Sequence, residues 1–251
     1  MRYYTVSDGI VIRRSALPSG DVVVTLLNPG GKWRAVARKG TLPGGNLGRL
    51  SLFHDVTVQY YRKSDDALAL LTQVQLNGAL ARLSEPGVYP YAHLITELAD
   101  HLTVDVHLGE RLYDYLASGL RGLNVHHDPE HVALLYVWRL LGVAGLAPQL
   151  SACVRCGQDL PLVAFDVAGG GLVCGNCREG VPMSPTAVTE LRQLAAGSLT
   201  HALQAPPLER PLHWRLLKRY VEYHAHELRS FDAVAGLAEP VVAPLAGRPD
   251  V

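Results

Sequence analysis

The chain has 251 residues, 48% of them hydrophobic, with 23 Lys or Arg balanced by 23 Asp or Glu. That length can bury a sizeable core in two main domains, and that hydrophobic content excludes a disordered chain. The longest apolar runs, such as residues 132–137, are soon broken, in this case at Arg139, so neither a membrane span nor a signal peptide is expected and the protein should be cytosolic.

The zero net charge hides an asymmetry. Residues 1–80 carry ten Lys or Arg and five Asp or Glu, whereas residues 81–251 carry thirteen and eighteen. A basic N-terminal part fits a polyanion partner confined to one end of the chain, although scatter over a solvated surface would give the same count.

The first eighty residues read as strands. Short β-branched or apolar runs cover residues 9–14, 22–27, 33–37, 56–61 and 68–71. Turn formers separate them: Pro18-Ser19-Gly20-Asp21, Asn28-Pro29-Gly30-Gly31, Pro43-Gly44-Gly45-Asn46 and Ser64-Asp65-Asp66. Five closely spaced strands point to an OB-type barrel over residues 1–80.

The third run carries charge with period two. In Lys32-Trp33-Arg34-Ala35-Val36-Ala37-Arg38-Lys39, a strand projects Lys32, Arg34 and Arg38 from one face and turns Trp33, Ala35 and Ala37 to the other. Cations about 7 Å apart along a strand match a phosphate backbone better than a small anion. Lys39, Arg49, Arg62 and Lys63 can extend that DNA-binding surface, with Arg13 and Arg14 as further candidates. Tyr60 and Tyr61 suit base stacking and core packing equally, and plain solvation is the alternative for the arginines.

The period then lengthens. Ser84-Glu85-Pro86 reads as a helix start, ahead of helical spacing over residues 89–102, and residues 108–123 form a second helix. Asp128-Pro129-Glu130 combines an N-cap, a first-turn Pro and an acid near the positive end of the helix dipole, so a third helix runs to about Leu141. Ser184-Pro185 repeats that logic for a helix ending near Gly197, and residues 210–231 read as one long helix. The tail from Gly236, rich in Pro and Gly, is expected to fray. The fold class is therefore α+β and multidomain: an OB-fold barrel, then an α-helical domain over residues 81–251, interrupted by an insertion at about 149–182.

The insertion holds all four cysteines, as Cys153-Val-Arg-Cys156 and Cys174-Gly-Asn-Cys177 with seventeen residues between the pairs. Two such turns can aim four thiolates at one tetrahedral zinc ion. Gly157 and Gly175 are expected to supply positive φ in those turns, and residues 163–173 to form a hairpin. Disulfides are disfavoured without an export signal, and a redox pair lacks a βαβ unit beside it. Four thiolates leave no place for water, so the one zinc per chain is expected to be structural.

Catalytic motifs are missing. There is no G-x-S-x-G and no H-E-x-x-H, and Pro29-Gly30-Gly31-Lys32 lacks the first Gly of a phosphate loop and continues with Trp33. His126-His127 should be exposed before a helix, and His224 and His226 do not share a helical face. No catalytic residue is assigned and no enzyme is expected, although a carboxylate pair needs no short motif.

Together these stretches resemble the RecO family of bacterial recombination mediators over nearly the whole chain. The resemblance rests on Gly9-Ile-Val-Ile-Arg13, Gly20-Asp21-Val-Val-Val-Thr25, Gly31-Lys32, Ala37-Arg38-Lys-Gly40 and Leu52-Phe53-His54. It continues through Glu85-Pro86-Gly-Val-Tyr89-Pro-Tyr91 and Glu97-Leu98, then Leu140-Leu141-Gly142-Val-Ala-Gly145-Leu-Ala-Pro148 ahead of Cys153 and Cys156. It implies an OB-fold, a helical domain and a zinc finger, in a cytoplasmic, nucleoid-associated protein. It also implies binding to single- and double-stranded DNA, annealing of complementary strands, and loading of RecA onto DNA coated with single-strand-binding protein. RecR would be one partner and the acidic tail of the single-strand-binding protein another, held in an apolar groove between helices with Arg121 or Arg139 as anchor. An RNA-binding module and a nucleic-acid-processing enzyme with an unrecognised site are the alternatives.

Overall fold

The computed structural model of the protein describes residues 3–64, 67–78, 80–103 and 109–238. Five strands, β1 (Thr5–Ala16), β2 (Val22–Asn28), β3 (Gly31–Ala37), β4 (Asp55–Tyr61) and β5 (Ala69–Gly78), close a barrel in the order β1-β2-β3-β5-β4. β4 returns to β1, and every pairing is antiparallel except that of β3 with β5. This is the expected OB-type barrel. Two strands outrun their expected bounds by more than two residues at one end. β1 begins earlier, and β5 continues past Leu71 to Gly78 because Gln73, Gln75 and Asn77 face solvent while their backbone still pairs with β4. Side-chain pattern alone does not announce such residues as strand.

Val22, Val24, Leu26, Ala35, Ala37, Val56 and Val58 help to fill the barrel. β1 departs from period two. Gly9, Ile10, Val11 and Ile12 are buried in succession, and the register with β2 shifts between Val11 and Arg13. Val11 enters the barrel interior, whereas Ile10 and Ile12 join Leu27 and Phe53 in the core of the helices.

A 3-10 turn (Ala81–Ser84) leads to α1 (Tyr89–Leu102), α2 (Gly109–Val125) and α3 (Pro129–Val143). Ser84 closes the 3-10 turn instead of starting the helix, and α1 begins without a side-chain cap. α3 lies at the centre. From Val132 to Trp138 each residue is 2% exposed or less, as befits a helix that is apolar on every face. Asp128 caps it, accepting from the His131 amide at 3.0 Å, and Arg210 of a later helix pairs with Asp128 and Glu130. At the start of α2, a Cβ on Gly109 would lie 2.6 Å from the amide nitrogen of Gly31, so only glycine lets this helix abut the β2–β3 turn.

The cysteine segment contributes β6 (Leu162–Asp166), β7 (Gly171–Cys174) and β8 (Val181–Pro182), an antiparallel sheet in the order β7-β6-β8. The expected hairpin is its β6–β7 pair. Helices α4 (Pro185–Ala196), α5 (Leu199–Gln204), α6 (Arg210–His224) and α7 (Ser230–Ala238) follow. The single helix expected over residues 210–231 is therefore two. The chain turns at Ala225 (φ −120°, ψ −84°), yet Ala225-His-Glu-Leu-Arg229 contains no helix breaker. The restart is tertiary. Glu97 of α1 accepts from the amides of Arg229 at 3.3 Å and Ser230 at 3.0 Å, and so caps α7. Of the tail expected to fray, residues 236–238 belong to α7 and the remainder lies outside the described residues.

Two buried histidines pin the helices together. His131 Nε2 meets the Ala202 carbonyl at 2.7 Å, and His213 Nε2 meets Glu190 at 2.9 Å. Burial holds both imidazoles below their usual pKa of 6.5, and the Glu190 contact opposes this for His213 without cancelling it. Below that pH the unfolded chain binds protons that the folded chain resists. Stability contributed by these groups is complete above the ordinary histidine pKa and is lost as pH falls below it. Urea unfolding should accordingly show a lower midpoint at about pH 5.5 than at about pH 7.5, and His213→Gln should flatten part of that difference.

Candidate nucleic-acid interface and metal centre

β3 alternates as expected. Lys32, Arg34 and, just past the strand, Arg38 are exposed; Ala35 and Ala37 are buried and Trp33 is half-buried. What already holds each cation differs. Lys32 donates from Nζ to the Asp100 carboxylate at 2.9 Å and to its backbone carbonyl at 2.8 Å. Arg13 of β1 closes on the second oxygen of the same carboxylate, whose side chain is only 4% exposed. Arg14 reaches Ser51 Oγ at 3.3 Å, and Arg49 donates to Asn46 Oδ1 at 3.1 Å. Arg62 lies over the rings of Trp33 and Tyr60. The side chains of Arg34, Arg38, Lys39 and Lys63 are exposed and make no hydrogen bond or ion pair among the described residues.

The structure thus sets Lys32 apart from Arg34 and Arg38 by its bonded partner, although period two grouped all three. An acid 68 residues away in the chain holds it at the seam between barrel and helices. That seam opens into a cleft of about 1160 Å³. Arg13, Arg14, Lys32 and Arg34 line its barrel side, and Glu97, Asp100 and Glu227, with Arg229, line its helical side. A largely basic wall faces a largely acidic one. A cation matched at short range adds little to the distant pull on a polyanion, so the unmatched set is the one that matters there.

The two arginines considered as peptide anchors also diverge. Arg139 is half-buried and donates to the carbonyls of Gln193 at 2.9 Å and Gly197 at 2.6 Å, closing the end of α4. Arg121 borders a smaller cleft of about 190 Å³ lined by Ile10, Phe53, Leu80 and Leu120. That groove lies between the barrel and α2 and not between two helices.

The four cysteine sulfurs lie within 4.8 Å of one another, Cys156 and Cys174 at 3.8 Å, and no disulfide joins them. Cys153 and Cys174 are buried, Cys177 half-buried and Cys156 exposed. Gly157 has φ of 72°, and its amide returns to the Cys153 carbonyl at 2.8 Å, closing the first turn. Gly175 is not left-handed, so the second turn does not draw on glycine's freedom. Backbone amides, foremost that of Cys174, draw the Cys153 thiol down to about 6, while burial and the neighbouring sulfurs push Cys177 up to about 12. One thiolate forms readily, but four crowd each other unless a cation sits among them. These residues could hold a metal ion. Behind them, Phe165 and Leu172 of the same sheet belong to the helical core, Phe165 lying 5.7 Å from Tyr220 ring to ring.

Residues 84–230 match the family described as Recombination protein O C terminal. The DNA repair protein RecO of Streptomyces avermitilis is 34% identical to the chain over 245 residues, 86% of this chain and 97% of that protein. The chain belongs to the RecO family. Two other proteins named DNA repair protein RecO are similar to it. That of Streptomyces coelicolor is 33% identical over 245 residues (86% of this chain, 97% of that protein), and that of Thermobifida fusca is 31% identical over 223 residues (86% and 92%). The family description covers the helical half, and the RecO relatives extend the likeness through most of the chain. RecO membership places the protein in DNA repair and recombination, and the family is not one of enzymes. Among the described residues no helix is long and apolar enough to cross a membrane.

The Asp100 clamp is testable by itself. Asp100→Ala leaves Lys32 and Arg13 facing each other without their shared carboxylate, and should lower stability in urea unfolding by about 1–3 kcal/mol. Arg13 is 62% exposed and can resolvate, which keeps the figure below that of a fully buried pair. An unchanged midpoint would assign the seam to its apolar contacts alone.

Proposed function

We propose that this RecO-family protein mediates recombinational repair: it binds single- and double-stranded DNA through the barrel of residues 1–80, anneals complementary strands, and with RecR helps load RecA onto DNA coated with single-strand-binding protein. The observation that carries this reading is the set Arg34, Arg38, Lys39 and Lys63, exposed on the barrel with side chains that make no hydrogen bond or ion pair among the described residues. Such cations attract phosphates without reading base edges, as a protein indifferent to sequence requires. Annealing needs two strands relieved of mutual repulsion and no nucleophile. Lys32 belongs to the seam more than to the grip, and Arg49 and Arg62 join the grip by leaving Asn46 and the aromatic rings.

RecR, RecA and the single-strand-binding protein come from the family resemblance, and the helical part over residues 81–251 is the proposed site of those partner contacts. For an acidic tail, Arg121 beside the apolar groove of Ile10, Phe53, Leu80 and Leu120 offers the matching chemistry.

Zinc is the metal proposed for Cys153, Cys156, Cys174 and Cys177. Thiolates about 2.3 Å from a tetrahedral zinc ion sit about 3.8 Å apart, and the Cys156 and Cys174 sulfurs have that separation. The ion would supply a cross-link and no chemistry, since four thiolates close its coordination sphere. Its role is then to brace the insertion at about 149–182, and through Phe165 and Leu172 the helices behind it.

Two experiments test these readings. Arg34→Ala combined with Arg38→Ala should weaken single-stranded DNA binding and reduce the log–log salt slope by about 1.4, at about 0.7 per phosphate lost; an unchanged slope would refute the basic-strand grip. The wild-type protein should carry one zinc per chain by elemental analysis and Cys174→Ser none, whereas a folded, metal-free wild type would exclude zinc.

A further inference from the structure

We propose that one end of the barrel is a base-stacking platform, built from the pairs Trp33–Tyr60 and Tyr4–Tyr61, that takes the unpaired bases of a single strand while nearby cations take its phosphates. The proposal rests on the DNA-binding reading above and adds the contact that would tell a single strand from a duplex.

The Trp33 and Tyr60 ring centroids are 4.6 Å apart with a tilt of 37°, and Tyr4 meets Tyr61 edge-on at 5.8 Å. The β1–β4 register sets Thr5 opposite Tyr60, so both pairs lie at the same end of the barrel. That end is unusually apolar for a surface. Tyr4 is 52% exposed, its neighbour Tyr3 82% and Val6 63%. Trp33 and Tyr60 pack on the barrel core with only part of their rings. The other two tryptophans, Trp138 and Trp214, are buried.

Charge completes the site. The Arg62 guanidinium lies 5.8 Å from the Trp33 ring centre and 5.7 Å from that of Tyr60. Lys63 follows it in the chain, and Arg34 follows Trp33. An exposed cation–π contact is weaker than the stacking of a base on an aromatic ring. A base therefore displaces the guanidinium, and Arg62 moves to the phosphate beside that base. In a duplex the bases are already stacked and paired, so the platform favours a single strand and is indifferent to its sequence.

Trp33 gives the readout. The full-length protein is titrated with an oligothymidylate of about fifteen nucleotides and with an abasic strand of the same length, following tryptophan emission and the anisotropy of a labelled strand. Oligothymidylate should quench the emission and bind more tightly than the abasic strand. Trp33→Phe should abolish the quench while keeping affinity within about twofold, because the ring remains. Trp33→Leu should weaken binding by between about fivefold and a hundredfold. Tyr4→Ala, an exposed change that spares the barrel core, should also weaken it and guards against a Trp33→Leu protein that fails to fold. Equal affinity for both strands with no quench, or a quench that survives Trp33→Phe, would overturn the platform and leave phosphate binding standing. Binding of neither strand would overturn both the platform and the DNA-binding reading.

Discussion

Gly9, Ile10, Val11 and Ile12 in β1 have no solvent side. A strand ordinarily commits alternate residues to one core and leaves the rest to water. Here the barrel interior takes Val11 and the helical core takes Ile10 and Ile12, and the register shift beside them accommodates both demands. Swinging the barrel away from the helices would expose Ile10, Ile12, Leu27 and Phe53, each worth about 1.5–3 kcal/mol of burial. Barrel and helices therefore behave as one body along this seam. Arg38, Lys39 and Lys63, whose side chains have no ion-pair partner among the described residues, lie outside the cleft at this seam.

Net charge is a poor guide to such a molecule. The total is zero, but a Debye length of about 8 Å at physiological salt means that a ligand senses local sets of charge and not the sum. Asp100 offsets one of the two positive charges that Arg13 and Lys32 bring to the seam. The side chains of Arg34, Arg38, Lys39 and Lys63 have no ion-pair partner among the described residues, so local positive charge persists in a chain whose total is zero. The acidic excess of residues 81–251 is likewise confined to one part of the chain.

Much of this was legible in the residues. The turn formers separated all five strands, Asp128-Pro129 and Ser184-Pro185 marked true helix starts, and the cysteine spacing foretold the cluster. These are local signals, in which a few adjacent residues determine their own geometry. What escaped was set by distant partners. Nothing near Ala225 announces the break between α6 and α7, and the start of α7 is capped by Glu97 from α1. Nothing near Lys32 shows that Asp100 holds it. Trp33, assigned to the inward face by period two, is only half-covered because it sits at the barrel's end, where alternation no longer decides exposure. Gly175 shows the opposite error, a glycine whose conformational freedom the turn does not use.

The Glu97 cap carries a further meaning for how the chain assembles. Its acceptor and the amide of Ser230 lie 133 residues apart, one of the longest sequence separations that a hydrogen bond bridges in this protein. Contacts of that span form late, since the entropy of closing the loop must be met before the bond can return anything. α7 cannot secure its first turn until α1 is in place to present Glu97. The start of α7 is thus fixed by a residue 133 positions upstream, so its docking depends on α1 having folded first.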